Sequence, residues 1–68
     1  MSEHYQHYSM EVIDIIRMVT ANQDFDATEG YYIGNILKYI LRYKYKGGAD
    51  DLCKAQDYLR WLYKYERK

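Results

Sequence analysis

The stretch that most constrains the fold is the apolar pattern between residues 33 and 41. Apolar side chains recur there at i, i+3, i+4, i+7 and i+8, the spacing of one buried helical face: Ile33, Ile36, Leu37, Ile40 and Leu41. Polar and aromatic side chains recur every three or four residues on another side of the same helix: Tyr31, Asn35, Lys38, Arg42 and Tyr45. The pattern predicts a long central helix with a core seam and a row of functional groups beside it.

Two further patterns predict one helix on each side of the central one. The first is an apolar stripe with Ser9 as its N-cap, which predicts a helix at about 10–21: Val12, Ile15, Ile16 and Val19. The second is an apolar seam after Gly47 and Gly48, which predicts a helix at about 50–66: Leu52, Ala55, Leu59 and Leu62.

The central helix has a clear predicted start and two internal glycines. Asp26 and Glu29 have the spacing of a capping box, so we expect this helix at about 27–45. Gly30 and Gly34 lie inside it and leave room for the close approach of another helix or of a ligand. The predicted fold class is all-α: a small three-helix domain with an N-terminal arm, spanning residues 1–68 as a single domain.

Composition predicts a chain that self-associates. A domain of 68 residues buries a small fraction of its surface, so a single core gives marginal stability. Its one cysteine, Cys53, excludes an internal disulfide and is typical of a reducing compartment. Ten tyrosines provide amphipathic surface suited to an interface. We therefore expect a homo-oligomer.

The same features predict a cytoplasmic protein without a membrane partner. The first residues are polar and precede no apolar segment of the secretory type. The longest apolar run is much shorter than a membrane span and contains Lys38.

The net charge is zero, but acidic residues are concentrated in the first half of the chain and basic residues in the second half. Up to Leu37 there are six acidic residues and one basic residue, whereas from Lys38 onward there are nine basic and four acidic residues. This division predicts an anionic ligand on the second half or head-to-tail pairing of subunits. The zero net charge disfavours a general nucleic-acid-binding role without excluding a local basic groove.

The basic groups on the second and third helices predict a phosphate site. The short connection around Gly47 makes these helices antiparallel neighbours, so their polar flanks can converge: Asn35, Lys38, Arg42, Lys54 and Tyr58. Lysine and arginine suit phosphate, and a tyrosine ring can stack on a base. The structural alternative is a solvated face on which Lys54 pairs with Asp51 or Asp57.

Metal sites are minor alternatives, and we expect no cofactor. His4 and His7 lie in the arm without a fixed helical register. Glu11 and Asp14 resemble the carboxylate pairs that hold magnesium in all-helical nucleotide pyrophosphatases, but a second helical acidic pair is missing. Cys53 has no histidine partner in sequence, so we interpret it as inert.

Five blocks of the sequence, in order, resemble a short bacteriophage domain of unknown function whose members often carry the label nucleotide kinase. The blocks cover nearly the whole chain: His7-Tyr8, Glu11–Asp14, Gly34–Arg42, Lys46–Gly48 and Asp51–Leu59. The resemblance implies a phage origin, for which the predicted compartment is the host cell cytoplasm, and a function that involves nucleotides. Positions that match its motif are His7, Tyr8, Glu11, Asn35, Lys38, Arg42, Asp51, Lys54 and Tyr58.

The sequence and the resemblance together predict a binding protein. We expect a nucleotide or other phosphate ligand to be held by Lys38, Arg42 and Lys54 and oriented by Asn35 and Tyr58, with His7 and Tyr8 closing over it. Such a protein would sequester a host nucleotide signal or regulate nucleotide supply. One alternative is phosphoryl transfer to a nucleoside monophosphate at a subunit junction, for which the sequence identifies no catalytic residue. Another is inhibition of a host protein through a tyrosine-rich face.

Overall fold

A computed structural model of the protein describes residues 8–68. It contains three α-helices, α1 (Val12–Thr20), α2 (Ala27–Arg42) and α3 (Gly48–Glu66). The described part of the chain has no β-strand. The prediction of an all-α, three-helix domain is therefore confirmed.

Helix α1 is shorter than the predicted segment. Its N-cap is Glu11, which makes no side-chain capping bond, so the prediction that Ser9 caps this helix is wrong. The first intrahelical bond instead uses the Glu11 carbonyl, which accepts from the Ile15 amide at 3.1 Å. Near the other end, the Thr20 hydroxyl donates to the Ile16 carbonyl at 2.7 Å, which turns a polar side chain back onto the helix backbone.

Helix α2 begins where the sequence predicted. The Glu29 amide donates to the Asp26 carboxylate and the Asp26 amide donates to the Glu29 carboxylate, both at 2.8 Å. This reciprocal capping box satisfies two amides that the first turn of a helix leaves without partners.

The connection between α2 and α3 is longer than predicted, because α2 ends at Arg42 rather than near residue 45. The amides of Tyr45 and Lys46 donate to the Arg42 carbonyl, and the Gly48 amide donates to the Tyr43 carbonyl at 2.7 Å. Gly48 has a φ of 58°, a left-handed value that glycine adopts without steric cost. Helix α3 begins at this glycine, two residues before the predicted start.

Helix α2 is the centre of the molecule, and α1 and α3 pack against it. The Cα atoms span 40 × 27 × 14 Å, so the body is flat. A Cβ atom at Gly34 would lie 3.3 Å from a methyl carbon of Ile16, and one at Gly30 would lie 3.9 Å from Thr20 Cβ. Gly34 thus allows α1 to approach α2 closely, as the helix-contact interpretation predicted, whereas the space at Gly30 would accept a methyl group.

The orientation of α3 differs from the prediction. The residues that α3 buries against α2 are Ala55, 5% exposed, and Asp51, 1% exposed. The predicted seam residues Leu52 and Leu59 are instead 36% and 55% exposed, and Ile40 of α2 is 43% exposed. The polar and aromatic contacts of α3 with α2, described below, set this orientation, and they leave the described chain without a closed apolar core.

No helix in residues 8–68 is long and apolar enough to cross a membrane.

Candidate functional site

The centre of the candidate site is Tyr39, on the side of α2 that faces α3. Three cationic groups lie close to its ring. The ring centroid is 5.0 Å from Lys38 Nζ, 5.1 Å from Arg42 Cζ and 5.6 Å from Lys54 Nζ. These are cation–π distances. We call Tyr39 with these three residues the cationic cluster.

An aromatic group adjoins the cationic cluster on α3. The rings of Tyr39 and Tyr58 are stacked, with centroids 6.0 Å apart and planes 24° apart. The Tyr58 ring also makes edge contacts with Tyr31, at 5.9 Å, and with Trp61, at 5.1 Å. A hydrogen bond with Tyr31, together with burial, raises the pKa of the Tyr58 phenol. The rings of Tyr39, Tyr58, Tyr31 and Trp61 thus form one continuous aromatic group.

The Arg42 guanidinium has a protein partner, the buried carboxylate of Asp51. Nε donates to Oδ2 at 3.1 Å and Nη2 donates to Oδ1 at 3.3 Å, an arrangement in which two donors of the fork serve one carboxylate. The bonds to Arg42 hold the pKa of the Asp51 carboxyl below its ordinary value. Two of the donors that suit a phosphate are thus directed at Asp51.

The same carboxylate also fixes the turn before α3. The Gly47 amide donates to Asp51 Oδ2 at 3.0 Å. A Cβ atom at Gly47 would lie 2.3 Å from the Asp51 carboxylate atoms, which is too close for any other residue type without a shift. Asp51 therefore joins the end of α2, the turn and the start of α3.

Two clefts lie between α1 and α2, beside the cationic cluster. The smaller cleft, about 200 Å³, has walls of Lys38, Arg42 and Glu11 together with apolar residues of α1: Val12, Ile13 and Ile16. The larger and more open cleft, about 510 Å³, includes Asn35, Lys38 and both internal glycines of α2 in its lining. Lys38 therefore borders both clefts and the Tyr39 ring.

Two of the remaining predicted site residues, Asn35 and Tyr8, lie outside the cationic cluster. The Asn35 side-chain amide donates to the Tyr31 carbonyl at 2.9 Å, within the helix. The Tyr8 hydroxyl donates to the Leu41 carbonyl, and the Tyr8 ring meets that of Tyr45 edge-on at 6.3 Å. Tyr8 thus lies beside the carboxyl end of α2, and predicted residue His7 lies outside the described residues.

The structure brings Lys38, Arg42, Lys54 and Tyr58 together, as the spacing predicted, and adds two residues that the prediction missed. Tyr39 was not among the predicted site residues, although its separation of seven from Tyr32 indicates a shared face, since seven residues make nearly two helical turns. From the sequence, we considered Asp51 only as a possible ion-pair partner for Lys54 on a solvated face. Its bonds to Arg42 and Gly47 depend on the path of the turn, which no local pattern specifies.

Within residues 8–68, no group of three or more histidine, cysteine or acidic side chains is placed to hold a metal ion. Of the two carboxylates considered for magnesium, Asp14 forms an ion pair with Arg17 at 3.2 Å, and Glu11 lines the smaller cleft.

Comparison with known proteins gives one result. The model of a family described as "protein of unknown function (DUF3310)" matches residues 1–60, and the chain belongs to this family. The prediction of a domain family of unknown function is therefore confirmed, whereas the match says nothing of phage origin or of kinase activity. No curated protein and no solved structure matches the chain.

Proposed function

We propose that this protein binds a phosphate-bearing ligand, and specifically a nucleotide, at the cationic cluster. The observation that carries the proposal is the position of three cationic groups between 5.0 and 5.6 Å from the centroid of one tyrosine ring. Lys38 and Lys54 hold the phosphate in this proposal. Arg42 contributes its charge and positions the cluster through Asp51.

Electrostatics favours an anion at this position. Like charges on three neighbouring side chains repel one another, and the repulsion is stronger beside protein surface than in bulk water. Asp51 offsets one of the three charges through its bonds to Arg42. Glu11, which lines the adjoining cleft together with Lys38, is one competitor for the lysines. A phosphate that carries two negative charges outcompetes a single carboxylate for the two lysine heads.

The aromatic group beside the cluster favours a nucleotide over inorganic phosphate. Tyr31 and Trp61 both contact Tyr58, and they are 58% and 44% exposed. An exposed ring next to a phosphate-binding group can stack on a base, and stacking contributes about 1–3 kcal/mol per base. The proposed ligand therefore places its phosphate on the lysines and its base on Tyr31 or Trp61.

The role that this binding supports is sequestration of a host nucleotide signal or regulation of nucleotide supply. The phage origin implied by the sequence resemblance and the location in host cytoplasm belong to this proposal. So does self-association, which the open core of the described chain supports. A binding role is favoured over phosphoryl transfer because phosphoryl transfer commonly uses a metal ion, and the described residues include no group of three or more histidine, cysteine or acidic side chains placed to hold one.

The test is calorimetric titration of the purified protein with inorganic phosphate and with mono-, di- and cyclic nucleotides. We expect at least one nucleotide to bind more tightly than phosphate. Lys54→Ala should weaken that binding about tenfold or more, because a charge-assisted hydrogen bond is worth about 1.5–3 kcal/mol. Lys38→Ala should have an effect of the same size. Arg42→Ala is less informative, because it also leaves the buried Asp51 carboxylate without its cation.

The matched control is Lys64→Ala, which removes an exposed lysine of α3, the helix that also carries Lys54. This variant should bind the nucleotide as tightly as the original protein does. If no nucleotide binds, or if Lys54→Ala and Lys64→Ala bind equally well, the site assignment is wrong. Inhibition of a host protein through the exposed tyrosines would then be the better hypothesis. Mass spectrometry of small molecules released from the purified protein would identify the ligand.

A further inference from the structure

The larger cleft between α1 and α2 carries three different functional groups along one wall. Tyr31, Asn35 and Lys38 of α2 all line it. They follow one another at i, i+4 and i+7, so they lie on one side of α2 and span about 10 Å along its axis, at about 1.5 Å per residue. An aromatic ring, an amide and an ammonium group thus succeed one another along the cleft, in the order in which a nucleotide presents its base, sugar and phosphate.

The rest of the cleft leaves room for a ligand of this size. Ile16 and Thr20 of α1 line it opposite α2, and Gly30 and Gly34 line it without bringing a side chain into it. Its volume of about 510 Å³ lies within the range of about 300–1,000 Å³ that is usual for small-molecule sites. The smaller cleft, at about 200 Å³, is below that range.

Charge sets the direction in which a nucleotide fits the larger cleft. Lys38, next to the Tyr39 ring, is the lining residue closest to the carboxyl end of α2. Asp26, the N-cap of α2, lines the opposite end of the same cleft. A phosphate is attracted by the ammonium group and repelled by the carboxylate, so the phosphate lies at Lys38 and the base lies toward Tyr31.

Asn35 lies between the ring and the ammonium group, where the sugar of such a ligand would be. Within residues 8–68, its side chain makes one hydrogen bond, in which an amide N–H donates to the Tyr31 carbonyl at 2.9 Å. A side-chain amide has a second N–H and a carbonyl oxygen. These two groups can serve the hydroxyl groups of a sugar, which both donate and accept hydrogen bonds.

The charge of the cationic cluster matches one phosphate group. Asp51 offsets the charge of Arg42, which leaves the charges of Lys38 and Lys54. A phosphate monoester carries about 1.5–2 negative charges at pH 7. A second phosphate group would add negative charge that the cluster does not offset.

We propose that the ligand is a nucleoside monophosphate whose base lies against Tyr31 in the larger cleft, with its sugar at Asn35 and its phosphate between Lys38 and Lys54. This inference rests on the proposed function and deepens it, because it names the class of nucleotide and chooses Tyr31 over Trp61 as the ring that meets the base. Of the described residues that line the two clefts, all are on α1, α2 or the segments that precede these helices, whereas Trp61 is on α3.

Calorimetric titration with a series of truncated probes tests the class of ligand. The probes are the four common ribonucleoside monophosphates, their diphosphates, ribose 5-phosphate and inorganic phosphate. We expect at least one monophosphate to bind about tenfold or more tightly than ribose 5-phosphate, because the base adds its stacking. The corresponding diphosphate should bind at most about threefold more tightly than the monophosphate, because a further charge exposed to solvent contributes little.

Aromatic variants test the position of the base. Tyr31→Ala should weaken monophosphate binding about tenfold and leave ribose 5-phosphate binding unchanged. The matched control is Tyr63→Ala, since Tyr31 and Tyr63 are 58% and 60% exposed and Tyr63 lines neither cleft; this control should change neither affinity. Trp61→Ala should weaken monophosphate binding less than Tyr31→Ala does.

Asn35→Ala tests the position of the sugar, and it decides the matter if Tyr31→Ala fails to fold. Alanine has a higher helix propensity than asparagine, so the helix is retained. The variant should bind the monophosphate and ribose 5-phosphate about threefold or more weakly than the original protein, because a hydrogen bond to each is lost. Its binding of inorganic phosphate should be unchanged.

Four results would overturn this inference while the proposed phosphate site stands, provided that Lys54→Ala still weakens binding. They are equal affinities for ribose 5-phosphate and every monophosphate, a diphosphate that binds more than about tenfold more tightly than its monophosphate, equal losses from Tyr31→Ala and Trp61→Ala, and an Asn35→Ala variant that binds every probe as the original protein does. If no probe binds the original protein, the proposed function is wrong and this inference is wrong with it.

Discussion

At the scale of single residues, Asp51 has the greatest influence on the structure. It is buried, it accepts from two nitrogens of Arg42, and it accepts from the Gly47 amide. Burying a carboxylate is costly unless cations and hydrogen bonds compensate, and here both do. Asp51 therefore fixes where α3 starts and which of its faces meets α2, and it draws Arg42 toward the Tyr39 ring.

Asp51→Asn should be strongly destabilising. The amide keeps the size of the side chain but leaves the half-buried Arg42 without an anion. We expect the Tm from circular dichroism to fall by about 12 °C or more, the lower end of the range for loss of one partner of a buried ion pair in a domain of this size.

Asp50→Asn is the matched control for this substitution, because Asp50 is the exposed neighbour in the same helical turn. It should change the Tm by about 2 °C or less, as is usual for an exposed charge. Equal Tm values for the two variants would show that the Arg42–Asp51 pair contributes nothing measurable to stability.

At the scale of elements, the contact between α1 and α2 involves two glycines of α2, and only one of them is needed for the close approach. Gly34 is the tighter position, with an Ile16 methyl carbon 3.3 Å from where a Cβ would lie, whereas the nearest atom at Gly30 is 3.9 Å away. Both glycines reduce helix stability relative to alanine. At Gly34, the close contact with Ile16 of α1 compensates for the lost helix stability. At Gly30, the contact with α1 is looser and compensates less.

Gly30→Ala should therefore stabilise the protein. A methyl group at 3.9 Å makes an ordinary van der Waals contact, so the gain in helix propensity is retained, and we expect the free energy of unfolding in urea to rise by about 0.5–1 kcal/mol.

Gly34→Ala is the comparison. Its methyl group requires Ile16 to move by a few tenths of an ångström, which offsets part or all of the propensity gain, so it should stabilise less than Gly30→Ala. A larger gain from Gly34→Ala would contradict the close packing of α1 on α2 at that position.

At the scale of the whole molecule, side-chain hydrogen bonds join α3 to α2 near both ends of α3. Arg42 and Asp51 join them next to the turn. At the far end, the Tyr65 hydroxyl donates to the carboxylate of Asp26, the N-cap of α2, and the rings of Tyr32 and Tyr65 meet edge-on at 6.4 Å. The hydrogen bond from Tyr65 lowers the pKa of Asp26 and raises that of Tyr65.

A second carboxyl group at this end, that of Glu66, has its pKa shifted in the opposite direction to that of Asp26. A hydrogen bond with Glu29 raises the pKa of Glu66 above its ordinary value, because two neighbouring carboxyl groups share a proton more favourably than they carry two charges. Two carboxyl groups at the same end of the α2–α3 pair thus respond to acid in opposite ways.

These pKa shifts predict how stability depends on pH. Asp26 and Asp51, with pKa values below 3.8 in the fold, stabilise it above that value, and the effect is lost as the pH falls through their lowered pKa values. Glu66, with its raised pKa, favours the fold increasingly as the pH falls toward 4.5. We expect urea midpoints to rise slightly from pH 6 to about 4.5 and then to fall toward pH 3.

Two variants separate these contributions. Asp26→Asn keeps a side-chain oxygen that can accept from the Glu29 amide and from the Tyr65 hydroxyl, but it cannot titrate. Its urea midpoint should therefore fall less between pH 4.5 and 3 than that of the original protein. Glu66→Gln should abolish the rise between pH 6 and 4.5. An unchanged pH profile in Asp26→Asn would mean that the Tyr65 contact does not stabilise the charged carboxylate.

The sequence by itself determined the number and type of the elements. Helical periodicity placed three helices, and the capping box at Asp26 and Glu29 placed the start of α2, because these signals depend on neighbours within one or two turns. The spacing of Lys38 and Arg42 on one helix, and of Lys54 and Tyr58 on the next, also predicted which groups meet across the turn.

Only the tertiary structure decided the rotation of α3 and the centre of the candidate site. The apolar pattern allowed Leu52 and Leu59 to face the core, but Asp51, Ala55 and Tyr58 face α2 instead. These two faces differ by a fraction of a helical turn, and local periodicity cannot choose between them when both carry large side chains. The choice depends on contacts between distant residues, a buried ion pair at Arg42 and stacking on Tyr39, which form only when the two helices meet.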